Sequence, residues 1–189
     1  MTVDDETLDA DRSRDADATT GADARRHIAR LSELATERHL RVGVAESLTS
    51  GLLANTVGAG DDASEWFAGG VVAYLTDVKE RVLGMIPGTD PCSAACAEQL
   101  AAGARRLFDA DLAVSTTGVG GPDPQGGHPA GTVYLGWATA DDVGHRRLAL
   151  VGGPEEVLVA AVEAAVRLLA FHAESRRTVG PRRGRGGEG

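Results

Sequence analysis

Lysine is almost missing from this chain of 189 residues. Of its 19 basic side chains one is lysine, Lys79, and the other 18 are arginine. Arginine stays charged and cannot serve as a general base near neutral pH, whereas a desolvated lysine can. The one survivor is a candidate for chemistry, set against the plain alternative that a drift to arginine spared a solvated surface lysine. Cysteine is scarce too. Cys92 and Cys96 are spaced i, i+4, but no further cysteine and no histidine nearby in sequence completes a zinc site. They read as two reduced, buried thiols of a cytoplasmic protein. No apolar run reaches the length of a membrane span. The opening Met1-Thr-Val-Asp-Asp-Glu6 lacks the basic and apolar regions of a signal peptide. Positive charge is in short supply: the net charge is −9 and the pI about 5.0. A general nucleic-acid binder needs a positive face and is disfavoured. An acidic, lysine-poor composition suits a high-salt cytoplasm, and a GC-rich genome explains it equally well.

Composition divides the chain into three parts. Residues 1–22 carry seven acidic and two basic side chains and read as a disordered acidic tail. Residues 175–189 carry five arginines against one glutamate, among glycines, and read as a disordered Arg/Gly-rich tail. Such a tail can touch RNA or an acidic partner, or be merely solvated. Residues 23–174 form the folded domain. Within it Ile28, Leu31, Leu34 and Ala35 recur at helical spacing. Strands are expected at 41–45, 70–74, 112–116, 131–137 and 146–151, the last two forming a hairpin across Asp141–Gly144. Helices are expected at 51–57, capped by Thr49 or Ser50, at 76–84, capped by Thr76, from Ser93 to Phe108, and from Pro154 to about His172. This alternation predicts a three-layer α/β/α domain with a mixed, mostly parallel sheet.

Three segments look like site material. Val44-Ala-Glu-Ser-Leu-Thr-Ser-Gly51 sets hydroxyls where a strand turns into a helix, whose N-terminal amides favour an oxyanion. The alternative is that Ser47, Thr49 and Ser50 are competing caps. Tyr74 and Lys79 follow a strand end, close enough for both heads to reach one pocket. A neutral lysine there can take a proton from a serine, with tyrosine relaying it. The alternative is an aromatic strand residue beside a solvated lysine. The run from Thr116 to Gly131 is too glycine-rich for a plain connector, and its exposed amides suit a phosphate or polar ligand. It is not a P-loop, having no Gly-Lys-Ser/Thr. His27, His39, His145 and His172 are scattered and read as surface or packing residues. Trp66 and Phe67 read as core, with stacking on a pyridine ring as the lesser alternative.

In this order the segments resemble the C-terminal domain of the CinA family, whose stand-alone form is the nicotinamide-nucleotide amidohydrolase. The resemblance covers about residues 25–172. It rests on Ala45-Glu-Ser-x-Thr-x-Gly51, Gly69-Gly-Val-Val-Ala-Tyr74 with Lys79 five residues on, Leu83-Gly84, and Ser93 opening the long helix. Thr117-Gly-Val-x-Gly-Pro122 and Pro129-x-Gly-Thr-Val133 complete it. The resemblance implies a hydrolase that deamidates nicotinamide mononucleotide, with Ser47 as nucleophile, Lys79 as base and Tyr74 assisting. It implies substrate contacts from Glu46, Thr49, Thr117, Gly118, Gly120, Gly121 and Pro122. No metal or cofactor is implied, and the partners implied are a small nucleotide and further copies of the chain, as a dimer or higher. The family's usual Ser-Cys-Thr-Gly-Gly reads Ser47-Leu-Thr-Ser-Gly51 here, Ala68 stands for an arginine and His128 for a lysine. These departures imply the alternative of a substrate-shifted or catalytically silent binding module.

Overall fold

The computed structural model describes residues 23–176. The acidic segment 1–22 and the chain from 177 onward lie outside the described residues.

The sheet is built outward from its most apolar strand. β1 (Val42–Glu46) is buried along its whole length. It pairs in parallel with β2 (Phe67–Val72) on one side and β3 (Leu112–Gly118) on the other, with Glu46 level with Val72 and Thr116. β4 (Thr132–Ala138) runs antiparallel to β3, and β5 (Val143–Ala149) antiparallel to β4. The order is β2-β1-β3-β4-β5. Four strands therefore share a direction and β4 alone opposes them, as the mixed, mostly parallel sheet requires. The hairpin is tighter than its sequence suggests: it turns at residues 139–142, with the Thr139 N–H donating to the Asp142 carbonyl at 2.8 Å.

Helices cover both faces. On one side lie α1 (residues 23–38), α2 (Leu52–Gly58), the short α3 (Ala63–Trp66) and α6 (Pro154–Ser175). They enclose a core that includes Leu31, Leu34, Leu53, Val57, Trp66, Val166 and Leu169. On the other side lie α4 (Thr76–Leu83) and α5 (Ala94–Leu107), over Leu83, Met85, Cys96 and Leu100. Small residues let α5 sit close. A Cβ on Gly136 of β4 would stand 2.1 Å from the Ala97 carbonyl oxygen, and one on Gly103 2.2 Å from that of Leu83. No described helix is long and apolar enough to cross a membrane.

The helix ends follow their capping chemistry, with three corrections. Ser93 caps α5 as expected, its Oγ accepting from the Cys96 N–H at 3.1 Å. Pro154 opens α6, and the Glu156 carboxylate accepts from the Gly153 N–H at 2.6 Å. Neither Thr49 nor Ser50 caps α2: the cap position is Gly51, at φ 104°, a conformation that suits glycine. Thr76 is the first residue of α4 and Leu75 its cap position. α6 runs past His172 to Ser175, and Arg176 still pairs with Asp141 at 2.9 Å. The first two residues of the expected C-terminal tail thus belong to the folded unit. Arg38 holds this end in place by donating to the carbonyls of Ala173, Glu174 and Arg176 at 2.6–2.7 Å, a cation on the negative end of the helix.

Candidate active site

The chain leaves β1 into α2 on one face of the sheet and enters β3 from α5 on the other. Adjacent strands whose connections diverge in this way open a crevice at their C-terminal ends, where ligands of open α/β sheets bind. A cavity of about 530 Å³ lies there. Ser47 and Leu48 line it from the end of β1, Tyr74, Leu75, Thr76 and Lys79 from the end of β2, and Thr117 to Gly121 from β3 and its loop. Asp90, Cys92, Asp123 and His128 add polar groups, and Pro154 and Leu158 of α6 an apolar edge. The three segments singled out in the sequence thus share one wall.

Ser47 is held by the sheet: its N–H donates to the Thr116 carbonyl at 3.0 Å. Its Oγ makes no hydrogen bond to a described residue. Glu46 is different from its sequence reading. It is fully buried, and its carboxylate accepts from the N–H groups of Gly51, Leu53 and Ala54 at 2.9–3.0 Å and from Thr49 Oγ1 at 2.7 Å. Thr49 Oγ1 accepts in turn from Thr116 Oγ1, 2.7 Å away. Glu46 is therefore the cap of α2, an anion at the positive end of a helix, and Thr49 its companion. Neither lines the cavity. Pro122, joined to Gly121 by a cis peptide bond, does not line it either. Among the described residues the Leu48 and Thr49 N–H groups, next to Ser47, donate to no protein acceptor.

Lys79 is 3% exposed, which removes the reading of a solvated surface lysine. Its Nζ donates to the Tyr74 carbonyl at 3.2 Å. Burial lowers its pKa below the ordinary value. Cys96 and Cys92 would raise it again only as thiolates. Burial pushes both thiols up, Cys92 to about 11, so they stay neutral at physiological pH. Cys92 precedes α5 and so does not share a helical face with Cys96; both are buried and unbridged. Tyr74 meets Lys79 through its backbone, and the residue is 65% exposed.

The glycine-rich loop is anchored at both ends. Gly118 ends β3 at φ 149°, where a Cβ would stand 2.3 Å from the Thr132 carbonyl oxygen. Thr117 Oγ1 donates to the Pro91 carbonyl at 2.5 Å. Farther out, Gln125 and His128 exchange backbone hydrogen bonds at 2.9 and 3.0 Å. His128 Nε2 sits 2.8 Å from Asp90 Oδ2, and Asp90 Oδ1 accepts from the Cys92 N–H at 2.9 Å. Partial burial works against the Asp90 carboxylate, but Cys92 and His128 together hold it below its ordinary pKa. Asp90 carried no sequence signal: it lies 38 residues from His128, and only the fold brings them together.

The remaining aromatic and histidine side chains stand elsewhere. Trp66 is buried in the core, its Nε1 donating to the Asp61 carbonyl at 2.9 Å, with Phe67 against it. Neither reaches the cavity, so stacking on a pyridine ring falls away. His172 stacks on Trp137 and His145 pairs with Glu98. No group of three His, Cys, Asp or Glu that could hold a metal ion occurs among the described residues.

Known proteins share this arrangement. A structure of a competence-damaged protein (CinA) superfamily protein from Klebsiella pneumoniae superposes with a TM-score of 0.77 at 28% identity, over 81% of this chain and 99% of that one. Its Escherichia coli counterpart gives 0.75 at 30% identity, over 78% and 90%. A CinA-like protein of Frankia casuarinae is 37% identical over 72% of this chain and 32% of its own length. The chain spans about a quarter to a third of the length of the curated relatives it matches. The CinA C-terminal domain family matches residues 24–172, and the chain belongs to that family.

Proposed function

We propose that the chain is an amidohydrolase of the serine–lysine type, deamidating nicotinamide mononucleotide to nicotinic acid mononucleotide and ammonia in NAD salvage. The observation that carries this reading is the buried Lys79, the one lysine of the sequence, in the wall of the cavity that also holds the Ser47 hydroxyl. Desolvation favours the neutral amine, which is the form a general base needs.

In this scheme Ser47 Oγ attacks the carboxamide carbon as its proton passes to Lys79 Nζ. The tetrahedral oxyanion falls to the Leu48 amide, whose residue lines the cavity, because Glu46 already occupies the amides of Gly51, Leu53 and Ala54. Collapse breaks the C–N bond, and the proton on Lys79 leaves with ammonia. Water then attacks the acyl-serine, delivering one proton to Lys79, which returns it to Ser47 Oγ as the carboxylic acid departs and loses its remaining proton to solvent. Tyr74 acts through its carbonyl, which orients Lys79 Nζ, and through its ring at the cavity mouth. Thr117, Gly118, Gly120 and Gly121 face the remainder of the nucleotide. A volume of about 530 Å³ falls in the range of small-ligand pockets. The two neutral thiols suit a cytoplasmic setting.

Ammonia release from nicotinamide mononucleotide is the test. Turnover in the native chain that disappears in Ser47→Ala supports the reading. No turnover from folded protein at low or molar salt would overturn it in favour of a silent or substrate-shifted binding module, which the bulky Leu48 beside Ser47 otherwise favours.

A further inference from the structure

The cavity has two chemically different ends. At the closed end Ser47 lines it while only 7% exposed, and its Oγ has no hydrogen-bond partner among the described residues. Leu48, Pro154 and Leu158 add apolar surface suited to a flat ring. The rim is acidic. Asp90 and Asp123 line it, and both are exposed. The Asp123 carboxylate has no hydrogen-bond or ion-pair partner among the described residues. The one basic side chain of the rim, His128, holds its Nε2 2.8 Å from Asp90 Oδ2 and is committed to that carboxylate. Lys79 is tied to the Tyr74 carbonyl at the closed end. Arg147 of β5 acts on the Cys92 thiol from outside the lining, and no arginine among the described residues lines the cavity. The rim therefore keeps an uncompensated carboxylate whether or not His128 carries a proton.

We infer that the site selects a phosphate-free pyridinium carboxamide, nicotinamide riboside, over the mononucleotide, and that Asp123 is a specificity-determining residue for that choice. The inference rests on the serine–lysine reading of the same cavity and concerns only which substrate the rim favours. By the steps given above the riboside yields nicotinic acid riboside and ammonia: Ser47 Oγ forms the acyl bond, the C–N bond breaks, and water releases the acid. The two ligands share the carboxamide, the pyridinium and the ribose, and differ in the phosphate. With the carboxamide carbon at Ser47, the ribose and whatever it carries extend toward the rim. The riboside bears one permanent positive charge, which the rim carboxylates attract. The phosphate adds close to two negative charges near neutral pH and reverses the sign of the ligand. The rim offers it no cation that a carboxylate does not already hold. A dianion about 8 Å from one uncompensated carboxylate, in water-like surroundings, loses about fivefold in affinity. The mononucleotide is thus the poorer of two substrates rather than an excluded one.

Calorimetric affinities of the full chain for nicotinamide riboside and nicotinamide mononucleotide test the inference, measured on Ser47→Ala so that neither ligand is consumed. The riboside should bind about fivefold more tightly at low salt. At molar salt, where the screening length is about 3 Å, the ratio should approach one. Adding Asp123→Asn, an exposed change of charge at nearly constant shape, should bring the low-salt ratio toward one as well. A mononucleotide bound at low salt as tightly as the riboside, or more tightly, overturns the inference. So does a riboside preference that survives both molar salt and Asp123→Asn. Ammonia release by the native chain from each ligand separates the two claims. Riboside preference with no ammonia from either ligand sinks the amidohydrolase reading alone. Ammonia from both, with the mononucleotide bound more tightly, sinks the riboside assignment alone, and binding of neither ligand sinks both.

Discussion

Lys79 is costly to the fold at a position where the proposed mechanism needs a neutral amine. Its burial disfavours the ammonium, so the folded-state pKa lies below the unfolded value near 10.5. Between those values the unfolded chain binds more protons than the folded one, so stability rises with pH there. Below the lowered folded pKa the penalty is fully present. Lys79→Met should therefore raise Tm by a few degrees at neutral pH, with the gain shrinking as pH approaches 10.5; thermal unfolding followed by circular dichroism checks this. The same shift gives the sign of the rate profile. kcat/KM for ammonia release should climb as pH rises through the Lys79 titration, on a limb below the ordinary lysine range. Lys79→Arg cannot give up its proton and should lose at least about a hundredfold in kcat. The lysine was conspicuous in the sequence by its solitude, but its burial could not be read there. A strand end followed by a helix allows a solvated or a buried amine equally, and α5 packing on α4 decides between them.

At the scale of elements, the turn from β1 into α2 is the part that the sequence concealed. Three hydroxyl-bearing residues, Ser47, Thr49 and Ser50, looked like competing caps. The cap is instead Glu46, the last residue of the strand, reaching forward to three helix amides and Thr49. That substitution has a functional meaning: it frees Ser47 from capping and gives it a firm backing. Glu46→Ala leaves those donors buried without an acceptor and should cost about 3 kcal/mol, roughly a 10 °C fall in Tm. Close packing of α5 is a second test of the architecture. Gly103→Ala drives a methyl into the Leu83 carbonyl and should cost about 1–3 kcal/mol in denaturant unfolding. Where local chemistry dominates, the sequence was legible: Ser93 before α5, Pro154 at the start of α6 and the β4–β5 hairpin all stand as expected within a few residues. α3, only four residues long, had no periodicity to reveal it.

At the scale of the molecule, the alternation of strands and helices led to the layered fold, and the three motif segments meet at one cavity. What the sequence withheld were contacts between distant segments, above all Asp90 with His128. The exposed apolar side chains suggest where further copies of the chain would meet it. Val72, Tyr74, Leu75, Val82 and Ile86 are exposed along β2, α4 and the segments that follow them. The expected homo-oligomer is proposed to use this edge, and Ile86→Glu should lower the mass seen in sedimentation; an unchanged mass would place the interface elsewhere. If that edge is covered, the exposed ring of Tyr74 at the cavity mouth is covered with it, and Ile86→Glu should also weaken turnover.

The most direct measurement of the central claim is acid-quenched mass spectrometry of the chain during turnover of nicotinamide mononucleotide. The account predicts an acyl adduct on the peptide containing Ser47, formed on native protein and absent from Ser47→Ala, with release slowed in Lys79→Arg. Ammonia release that continues in Ser47→Ala without any adduct would contradict it, and would mean that water attacks the carboxamide directly.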